Sequence, residues 1–408
     1  MNEIKQGYKQ TKVGIIPEDW DVVKVGEKFD FLKTYSNSRE DLNNVDEISY
    51  IHYGEIHTKH KFYIDFAKFE LPKINKSKLP NEIIFAQNGD LVIADASEDY
   101  ADIGKSAEIK NLTSKAVSGL HTFLLRDKNN NFVDGYKGYL LYNEIVARSI
   151  KKIATGISVL GISKTNLSKL EIPLPPIKEQ EKIAEILTTW DEAITKQTEL
   201  LEAKELQKKA LMQKLLSGEV RFDGFSDKWE EVKIKDIFEI TRGYVLAVTE
   251  MSQEQTAEYK YPVYSSQTKN NGLTGYYKDY LFENCITWTT DGANAGDVNL
   301  RKGKFYCTNV CGVLKSDKGY ANQCIAEILN LVTKNYVSYV GNPKLMNNTM
   351  GGIKIKIPKS LPEQQKIAEV LSLADDEINL LKNELEELKL QKKALMQKLL
   401  TGEVRVKV

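Results

Sequence analysis

Three of the four histidines, His52, His57 and His60, lie close together among lysines and come nearest to a metal-binding pattern. A zinc site also needs thiolates or carboxylates that converge with the imidazoles. Glu55 is the one acidic residue within this stretch, and alone it does not complete such a set. We therefore interpret the stretch as a solvated basic loop and keep a metal site as the alternative.

The sequence lacks the motifs of catalytic and nucleotide-binding sites. The Gly-Lys-Ser stretch at 104–106 has no upstream glycine at the spacing of a phosphate-binding loop, and neither Gly-x-Gly-x-x-Gly nor His-Glu-x-x-His occurs. The Asp/Asn-Pro-Pro-Tyr/Phe stretch of an amino-methyltransferase is also absent. The four cysteines lack zinc spacing, so we predict buried thiols. The sequence thus predicts no catalytic residue, no metal and no cofactor bound by this chain.

Short polar loops interleaved with aromatic residues are the remaining chemical signal. Asn, Gln, Arg and Lys side chains read base edges in DNA, while Ser, Thr and Lys commonly contact phosphates. Exposed turns have a similar composition, so each loop alone is weak support for DNA binding. The candidate DNA-binding residues are Arg39, Lys59, His60, Ser163, Lys164, Asn166, Arg242, Ser266, Gln267, Lys269, Asn270, Arg301 and Lys302.

The composition is that of a globular protein. Of the 408 residues, 41% are hydrophobic and 28% charged, and no apolar run reaches the roughly 18 residues of a membrane span. Lys+Arg and Asp+Glu number 57 each, so any DNA binding must use local patches or partner subunits. The first ten residues lack the apolar stretch of a secretory signal, and we expect a cytoplasmic protein.

An internal repeat organises the elements that must position these residues. Residues 207–216 recur letter for letter at 391–400, an offset of 391 − 207 = 184, and at this offset 179–221 matches 363–405 at 26 of 43 positions. A weaker echo pairs 20–24 with 229–233, an offset of 229 − 20 = 209. Each half is therefore predicted to contain a similar opening strand, a dissimilar body and a nearly identical closing segment.

The closing segments have helical periodicity. Apolar residues at alternating steps of three and four form a coiled-coil seam, which is interrupted by Lys392 in the second copy and by Gln197, Lys204 and Lys208 in the first. An alternative is that the helices only pack two domains together. The predicted seam residues are Ile183, Leu187, Ile194, Leu201, Leu211, Leu215, Ile367, Leu371, Ile378, Leu385, Leu395 and Leu399.

The two bodies have mixed patterns. Short apolar runs between turn residues indicate strands at 83–85, 90–94, 122–125, 285–289 and 304–308. Helical rhythm occurs at 138–153 and 321–332. We predict an α+β fold with two α/β domains, joined by two long helices in a pseudo-two-fold repeat. The predicted segments are a first domain at 1–173, a central helix at 174–221, a second domain at 222–357 and a C-terminal helix at 358–408.

Together these features resemble the specificity (S, HsdS) subunit of type I restriction-modification systems. The resemblance is carried by Ile172-Pro-Leu-Pro-Pro-Ile-Lys-Glu-Gln180 and the Lys-Ile-Ala-Glu-Ile-Leu that follows, by their echo at 357–369, and by the two Lys-Lys-Ala-Leu-Met-Gln-Lys-Leu-Leu stretches. It covers essentially the whole chain. It implies two α/β target-recognition domains on two long antiparallel helices that form an intramolecular coiled coil.

The resemblance also implies a non-catalytic subunit whose recognition domains each read one half of a bipartite, asymmetric DNA site. The implied partners are double-stranded DNA, two modification (methyltransferase) subunits docked on the helices, and restriction (translocase and nuclease) subunits. S-adenosylmethionine, ATP and Mg would bind to those partners, and the helices would set the spacer between half-sites. The alternative is a non-DNA-binding coiled-coil scaffold that joins two interaction modules, which the zero net charge favours slightly.

Overall fold

The computed structural model describes residues 4–266 and 269–408. The chain forms two compact units: the first contains the residues up to Gln197 together with Glu384–Val408, and the second contains Thr198–Asn383. Each unit thus holds one body and part of both long helices, whereas the predicted boundaries give each helix a segment of its own. Strands and helices are mixed in both units, and the predicted α+β class is confirmed. In the described residues, no helix is long and apolar enough to cross a membrane.

The first unit contains many short strands and several helices, the last of which before the second unit continues into it. Its strands are β1 Tyr8–Thr11, β2 Gly14–Pro17, β3 Asp21–Lys24, β4 Phe29–Leu32, β5 Leu42–Asn43, β6 Ile48–Ile51, β7 Phe62–Asp65, β8 Lys73–Ile74, β9 Leu91–Ala94, β10 Ala96–Ser97, β11 Ser106–Lys110, β12 Ala116–Ser118, β13 Thr122–Asp127, β14 Leu160–Gly161 and β15 Glu171–Leu174. Its helices are α1 Val25–Lys28, α2 Tyr53–Thr58, α3 Lys137–Leu140, α4 Glu144–Ile153, α5 Lys164–Ser168 and α6 Ile177–Ser217.

A five-stranded sheet in the order β4-β13-β9-β11-β7 forms the centre of the first unit. Because strand side chains alternate between faces, Leu91 and Ile93 of β9 enter one apolar core. Val92 of β9 and Ala107 of β11 lie on the opposite face, fully buried in a second cluster that includes Ile56 of α2. Apolar residues therefore seal both faces of this sheet.

The second unit is built on a six-stranded sheet in the order β17-β22-β20-β21-β18-β19. Its strands are β16 Glu230–Lys233, β17 Glu239–Arg242, β18 Tyr261–Tyr264, β19 Leu273–Tyr277, β20 Phe282–Thr289, β21 Val298–Cys307, β22 Cys311–Lys315 and β23 Lys354–Ile357. Its helices are α7 Ile234–Ile237, α8 Gln323–Val332, α9 Asn347–Gly352 and α10 Leu361–Leu400, the last of which ends in the first unit. Ile286 and Trp288 of β20 are buried in the core that α8 also lines.

The repeat extends beyond the segments that match in sequence. Hairpins at 155–161 and 338–344, related by an offset of 338 − 155 = 183, each close through a reciprocal pair of backbone hydrogen bonds. The next backbone N–H groups, those of Ile162 and Leu345, donate to the carbonyls of Asp95 and Thr290 (2.8 and 2.9 Å). These carbonyls directly follow the central strands β9 and β20. The two bodies therefore share a framework that their sequences do not reveal.

In the first unit the long helices run antiparallel. Gln197 of α6 donates a hydrogen bond through Nε2 to Glu384 Oε2 of α10 (3.0 Å). Six residues earlier on α6, Asp191 forms an ion pair with Lys392, which lies later on α10. The Lys392 side chain is buried, and its Nζ lies 3.9 Å from the ring centroid of Phe62. The polar break in the seam of α10 is thus a paired lysine.

The same pairing recurs in the second unit with the helices exchanged. Lys208 of α6 pairs with Asp375 of α10 (2.6 Å), and Lys204 pairs with Glu377 (2.6 Å). Lys208 and Asp375 are the repeat counterparts of Lys392 and Asp191 (392 − 208 = 375 − 191 = 184). Among the predicted seam residues, those that are buried are Ile183, Leu187, Leu215, Ile367, Leu371, Ile378, Leu385 and Leu399, and those that are half-buried are Ile194, Leu201, Leu211 and Leu395.

Several element predictions differ from the structure. Residues 83–85 form no strand, because the backbone N–H at 84 is taken by Tyr35 Oη (2.8 Å). The helix predicted at 138–153 divides into α3 and α4 because Asn143 caps α4 through its side-chain oxygen. The strand predicted at 304–308 is the second half of the longer β21.

Candidate nucleic-acid interface

The predicted DNA-binding cations of the first unit lie on separate elements. Arg39 is exposed in the short 3-10 turn Arg39–Asp41. Lys59 is exposed just after α2, and its Nζ pairs with Glu55 (3.0 Å). Lys164 begins α5, and its Nζ lies 5.4 Å from the ring centroid of Phe31. No contact among the described residues joins these three cations, although each remains accessible to a phosphate.

The interpretation of residues 52–60 as a solvated basic loop is wrong. His52 is buried, and its Nδ1 caps α2 by accepting a hydrogen bond from Gly54 N (3.2 Å). His60 is also buried, packs edge-on against Phe69, and neither of its ring nitrogens has a partner among the described residues. Burial lowers the pKa of both imidazoles. His60 is therefore a neutral core residue in this structure and cannot reach DNA.

Ser163 and Asn166 belong to a helix start rather than to a free loop. Ser163 Oγ accepts a hydrogen bond from the backbone N–H of Asn166 (3.1 Å), as expected for an N-cap residue. Asn166 is half-buried and lines a shallow groove with Lys169 and Glu171. Helix capping thus accounts for the polar character of Ser163, while Lys164 is exposed and the Asn166 side chain is half-buried.

In the second unit, Arg242 and Lys302 are exposed at strand positions. Arg242 ends β17 and donates a hydrogen bond through Nη2 to Asn309 O (2.6 Å). Lys302 is exposed on β21 and borders a groove beside α10. Both cations are available to an anionic partner.

The polar loop before β19 contributes four further candidates. The backbone carbonyl of Ser266 accepts a hydrogen bond from Asn294 Nδ2 (3.2 Å). Asn270 is exposed and adopts a positive φ of 51°, a conformation that asparagine tolerates better than most residues. Gln267 lies outside the described residues, and only the backbone of Lys269 is described.

Arg301 was expected in a short polar loop, and this is also wrong. It lies within β21 and is only 6% exposed. Its Nε donates a hydrogen bond to Thr287 Oγ1 (3.0 Å), and its guanidinium carbon lies 3.7 Å from the ring centroid of Tyr264. Burial lowers the pKa of the guanidinium, which nevertheless stays protonated.

A cavity of about 230 Å³ adjoins Arg301. Ser265, Asn271 and Gly272, from the polar loop that sequence analysis singled out, form part of its wall, and Asn299 of β21 forms another part. The structure thus brings one predicted cation and one predicted loop together around a single polar cavity. The other candidate residues lie elsewhere on the two units.

Sequence reasoning missed the cavity wall, although a signal for it exists. Thr287, Thr289, Asn299 and Arg301 occupy alternate positions on the paired strands β20 and β21, so their polar side chains share one sheet face. In the sequence these four polar residues alternate with apolar ones along both strands. Such an alternation predicts that one face of the sheet is not covered by a hydrophobic core. The cavity lies on that face.

The remaining groups with chemical potential are the possible metal ligands and the cysteines. In the described part of the chain, no group of three or more His, Cys, Asp or Glu residues is placed to hold a metal. The four cysteines are free and buried, as predicted. Burial raises the pKa of each thiol, that of Cys311 to about 11, so these thiols are poor nucleophiles.

Comparisons with known proteins agree with the repeated architecture. The family model described as the type I restriction modification DNA specificity domain matches residues 17–205 and 226–390. The type I restriction enzyme MjaVIII specificity subunit of Methanocaldococcus jannaschii is 26% identical over 444 residues, covering 99% of this chain and 97% of the relative.

Two solved structures have a similar fold. The S subunit of a type I restriction-modification system from M. genitalium gives a TM-score of 0.61 at 19% identity, covering 93% of this chain and 96% of that one. The HsdS subunit from Thermoanaerobacter tengcongensis gives 0.50 at 17% identity, covering 95% and 98%. At these identities the likeness concerns the fold alone.

Proposed function

Because this chain belongs to the family defined by the type I restriction modification DNA specificity domain, we propose that it selects the DNA sequence on which a type I restriction-modification complex acts. Each body reads one half of a bipartite, asymmetric site. The observation that carries this proposal is the repeat itself: the long helices and hairpin framework match between the halves, while the loops and sheet faces of the bodies differ. Different loops on a shared frame suit two different half-sites.

The long helices serve two further roles in this proposal. They dock two methyltransferase subunits, one for each half of the repeat, and their length sets the unread spacer between half-sites. The reciprocal ion pairs Asp191–Lys392 and Lys208–Asp375 support a fixed helix register, because a charge pair in an apolar seam disfavours slipped alignments. The restriction subunits complete the assembly.

The chemistry resides on the partners. In the described residues no group of His, Cys, Asp or Glu side chains is placed to hold a metal. In this proposal, methyl transfer with S-adenosylmethionine and ATP- and Mg-dependent cleavage belong to the other subunits. The zero net charge of the chain also fits a shared task, because phosphate contacts dominate DNA affinity and the partners then supply part of them. Such a complex works in the cytoplasm, on double-stranded DNA.

Reconstitution with a cognate methyltransferase subunit tests this function. We expect no methyl transfer from S-adenosylmethionine to duplex DNA by the chain alone or by the partner alone, and transfer at one defined sequence when both are present. Transfer by the highly purified chain alone would contradict the non-catalytic role. A folded complex with no sequence preference on duplex DNA would instead favour the alternative of a scaffold that joins two interaction modules.

A further inference from the structure

Arg301 is a buried charge that has no counter-charge among the described residues. The sequence contains seven arginines, and four of them pair with carboxylates: Arg126, Arg148, Arg221 and Arg405. Of the other three, Arg39 and Arg242 are exposed to water. Only Arg301 is both buried and without an acidic partner among the described residues. A buried charge lowers stability unless it is paired. The Arg301 guanidinium therefore suits a hydrogen-bond-accepting partner from outside the chain.

The unused edge of the guanidinium is a two-donor fork. Tyr264 covers one face of the group, and Thr287 takes the Nε–H. The guanidinium also interacts with the Tyr264 side chain, but its four N–H groups on Nη1 and Nη2 are not used up by that residue among the described ones, and the group lines the cavity. A fork of this kind fits two acceptors that lie in its plane, such as two phosphate oxygens or the O6/N7 edge of guanine.

The charge of the cavity favours acceptors. Asp297 also lines the wall, but its carboxylate is paired with Lys334 at 2.5 Å. The remaining wall is formed largely by hydroxyl and amide side chains, including Asn299 and Ser265. Arg301 is therefore the one uncompensated charge of the cavity within the described residues.

The first unit shows that the shared fold does not require this cavity. The strand pair β9–β11 corresponds to β20–β21, because Val92 faces Ala107 as Thr287 faces Asn299. Val92 and Ala107 are fully buried in an apolar cluster. In Arg301's place stands Ile109, which belongs to the same cluster. The polar hollow is thus specific to the second unit, as a feature that reads one particular half-site would be.

We propose that the Arg301 cavity binds a pair of in-plane hydrogen-bond acceptors of the target DNA, held by Nη1 and Nη2 of Arg301 while Tyr264 fixes the guanidinium plane. The pair belongs to a backbone phosphate or to the O6/N7 edge of a guanine in the half-site that the second unit reads. This inference rests on the proposed function and assigns a specific contact to it.

The test compares Arg301→Met, Arg301→Lys and the control Arg126→Met in the reconstituted complex. Arg301→Met removes an uncompensated charge, so we expect an unchanged or higher Tm together with about 5- to 150-fold weaker binding to the target duplex. Arg301→Lys keeps the charge but loses the two-donor fork, so its affinity for the target duplex should lie between those of the wild type and of Arg301→Met. Arg126→Met leaves the buried Asp90 unpaired, so it should lower Tm without changing the affinity of the folded complex.

Two readouts distinguish the sources of the acceptors. A phosphate contact predicts equal loss on all duplexes and a salt slope that is smaller by about one. A guanine contact predicts a methylated motif that becomes degenerate at one base pair of one half-site. A lower Tm for Arg301→Met with wild-type affinity, measured below that Tm, would overturn the inference and make Arg301 structural. If the wild-type complex itself shows no sequence preference, the proposed function fails instead.

Discussion

At the scale of single residues, the buried glutamate at the start of each long helix has different hydrogen-bond donors in the two halves. Glu179, at the start of α6, accepts hydrogen bonds from Trp20 Nε1 (2.7 Å) and from Arg405 Nε (2.7 Å). Its repeat counterpart Glu363 accepts from Arg221 Nε (2.8 Å), but Trp229 Nε1 is buried without a partner among the described residues. The glutamate at the start of each long helix is thus paired with the arginine that follows the other helix. Among the described residues, an indole also donates to this glutamate in the first unit and not in the second.

This difference predicts unequal effects for matched substitutions. Trp20→Phe removes a buried hydrogen bond to a carboxylate and should lower the free energy of unfolding by about 1–3 kcal/mol. Trp229→Phe removes a donor that is already unpaired and should cost less than Trp20→Phe by about that amount. Urea unfolding of the full chain, followed by far-ultraviolet circular dichroism, measures both. Equal losses would show that the Trp20–Glu179 bond has no net stabilising effect.

Burial was predicted correctly for the cysteines and wrongly for His60 and Arg301. Buried cysteines were predicted because their spacing is not that of a zinc site, and they are buried. His60 and Arg301 were both expected in solvent because charged neighbours surround them in sequence. Each is covered by an aromatic ring from another segment, His60 by Phe69 and Arg301 by Tyr264. Local composition does not contain that information, and it misled the prediction for these two candidates.

At the scale of elements, the long helices were predictable and their polar seam positions were not explained. The three- and four-residue spacing indicated two seams, and α6 and α10 run as continuous helices of 41 and 40 residues. Lys208 and Lys392 seemed to be breaks in those seams. Each lysine pairs with an aspartate of the other helix. The sequence shows that these lysines and aspartates are identical in the two copies. It does not show that each lysine pairs with the aspartate of the other helix, because that pairing depends on the antiparallel alignment.

The antiparallel register determines how the proposed spacer can be changed. One heptad is inserted after Gln197 in α6, and a second is inserted after Asn383 in α10, directly before Glu384, the hydrogen-bond partner of Gln197. The two insertions lengthen both helices together and preserve the phase of the seam. Seven residues add about 10.5 Å, which is about three base-pair rises on B-DNA. We expect the methylated motif to keep both half-sites and to gain about three unread base pairs, as methylome sequencing would show.

The matched control lengthens one helix only. A single heptad after Gln197 cannot preserve both the Asp191–Lys392 and the Lys208–Asp375 pairs, because α10 keeps its length. We expect a lower Tm and little methylation from this variant. An active double-insertion variant with an unchanged spacer would contradict the role of helix length and leave the helices as a docking surface for partners.

At the scale of the whole molecule, the sequence predicted the duplicated plan but underestimated its extent. Identity between the halves is high only over 179–221 and 363–405. The structure adds matched hairpins at 155–161 and 338–344 and a matched central strand pair in each unit. Backbone hydrogen bonds define these elements, and many different sequences satisfy them. The framework therefore persists where side-chain identity does not, and the faces that differ are free to carry recognition.

The most direct test of this account is methylome sequencing of cells in which residues 30–169 are replaced by the equivalent body of another family member. This segment lies between Phe29 and Leu170, two buried residues of the first unit's core. The account predicts that one half of the methylated motif changes, while the other half and the spacer length stay as they were. A motif that changes in both halves, or in neither half while methylation continues, would contradict independent reading by the two bodies.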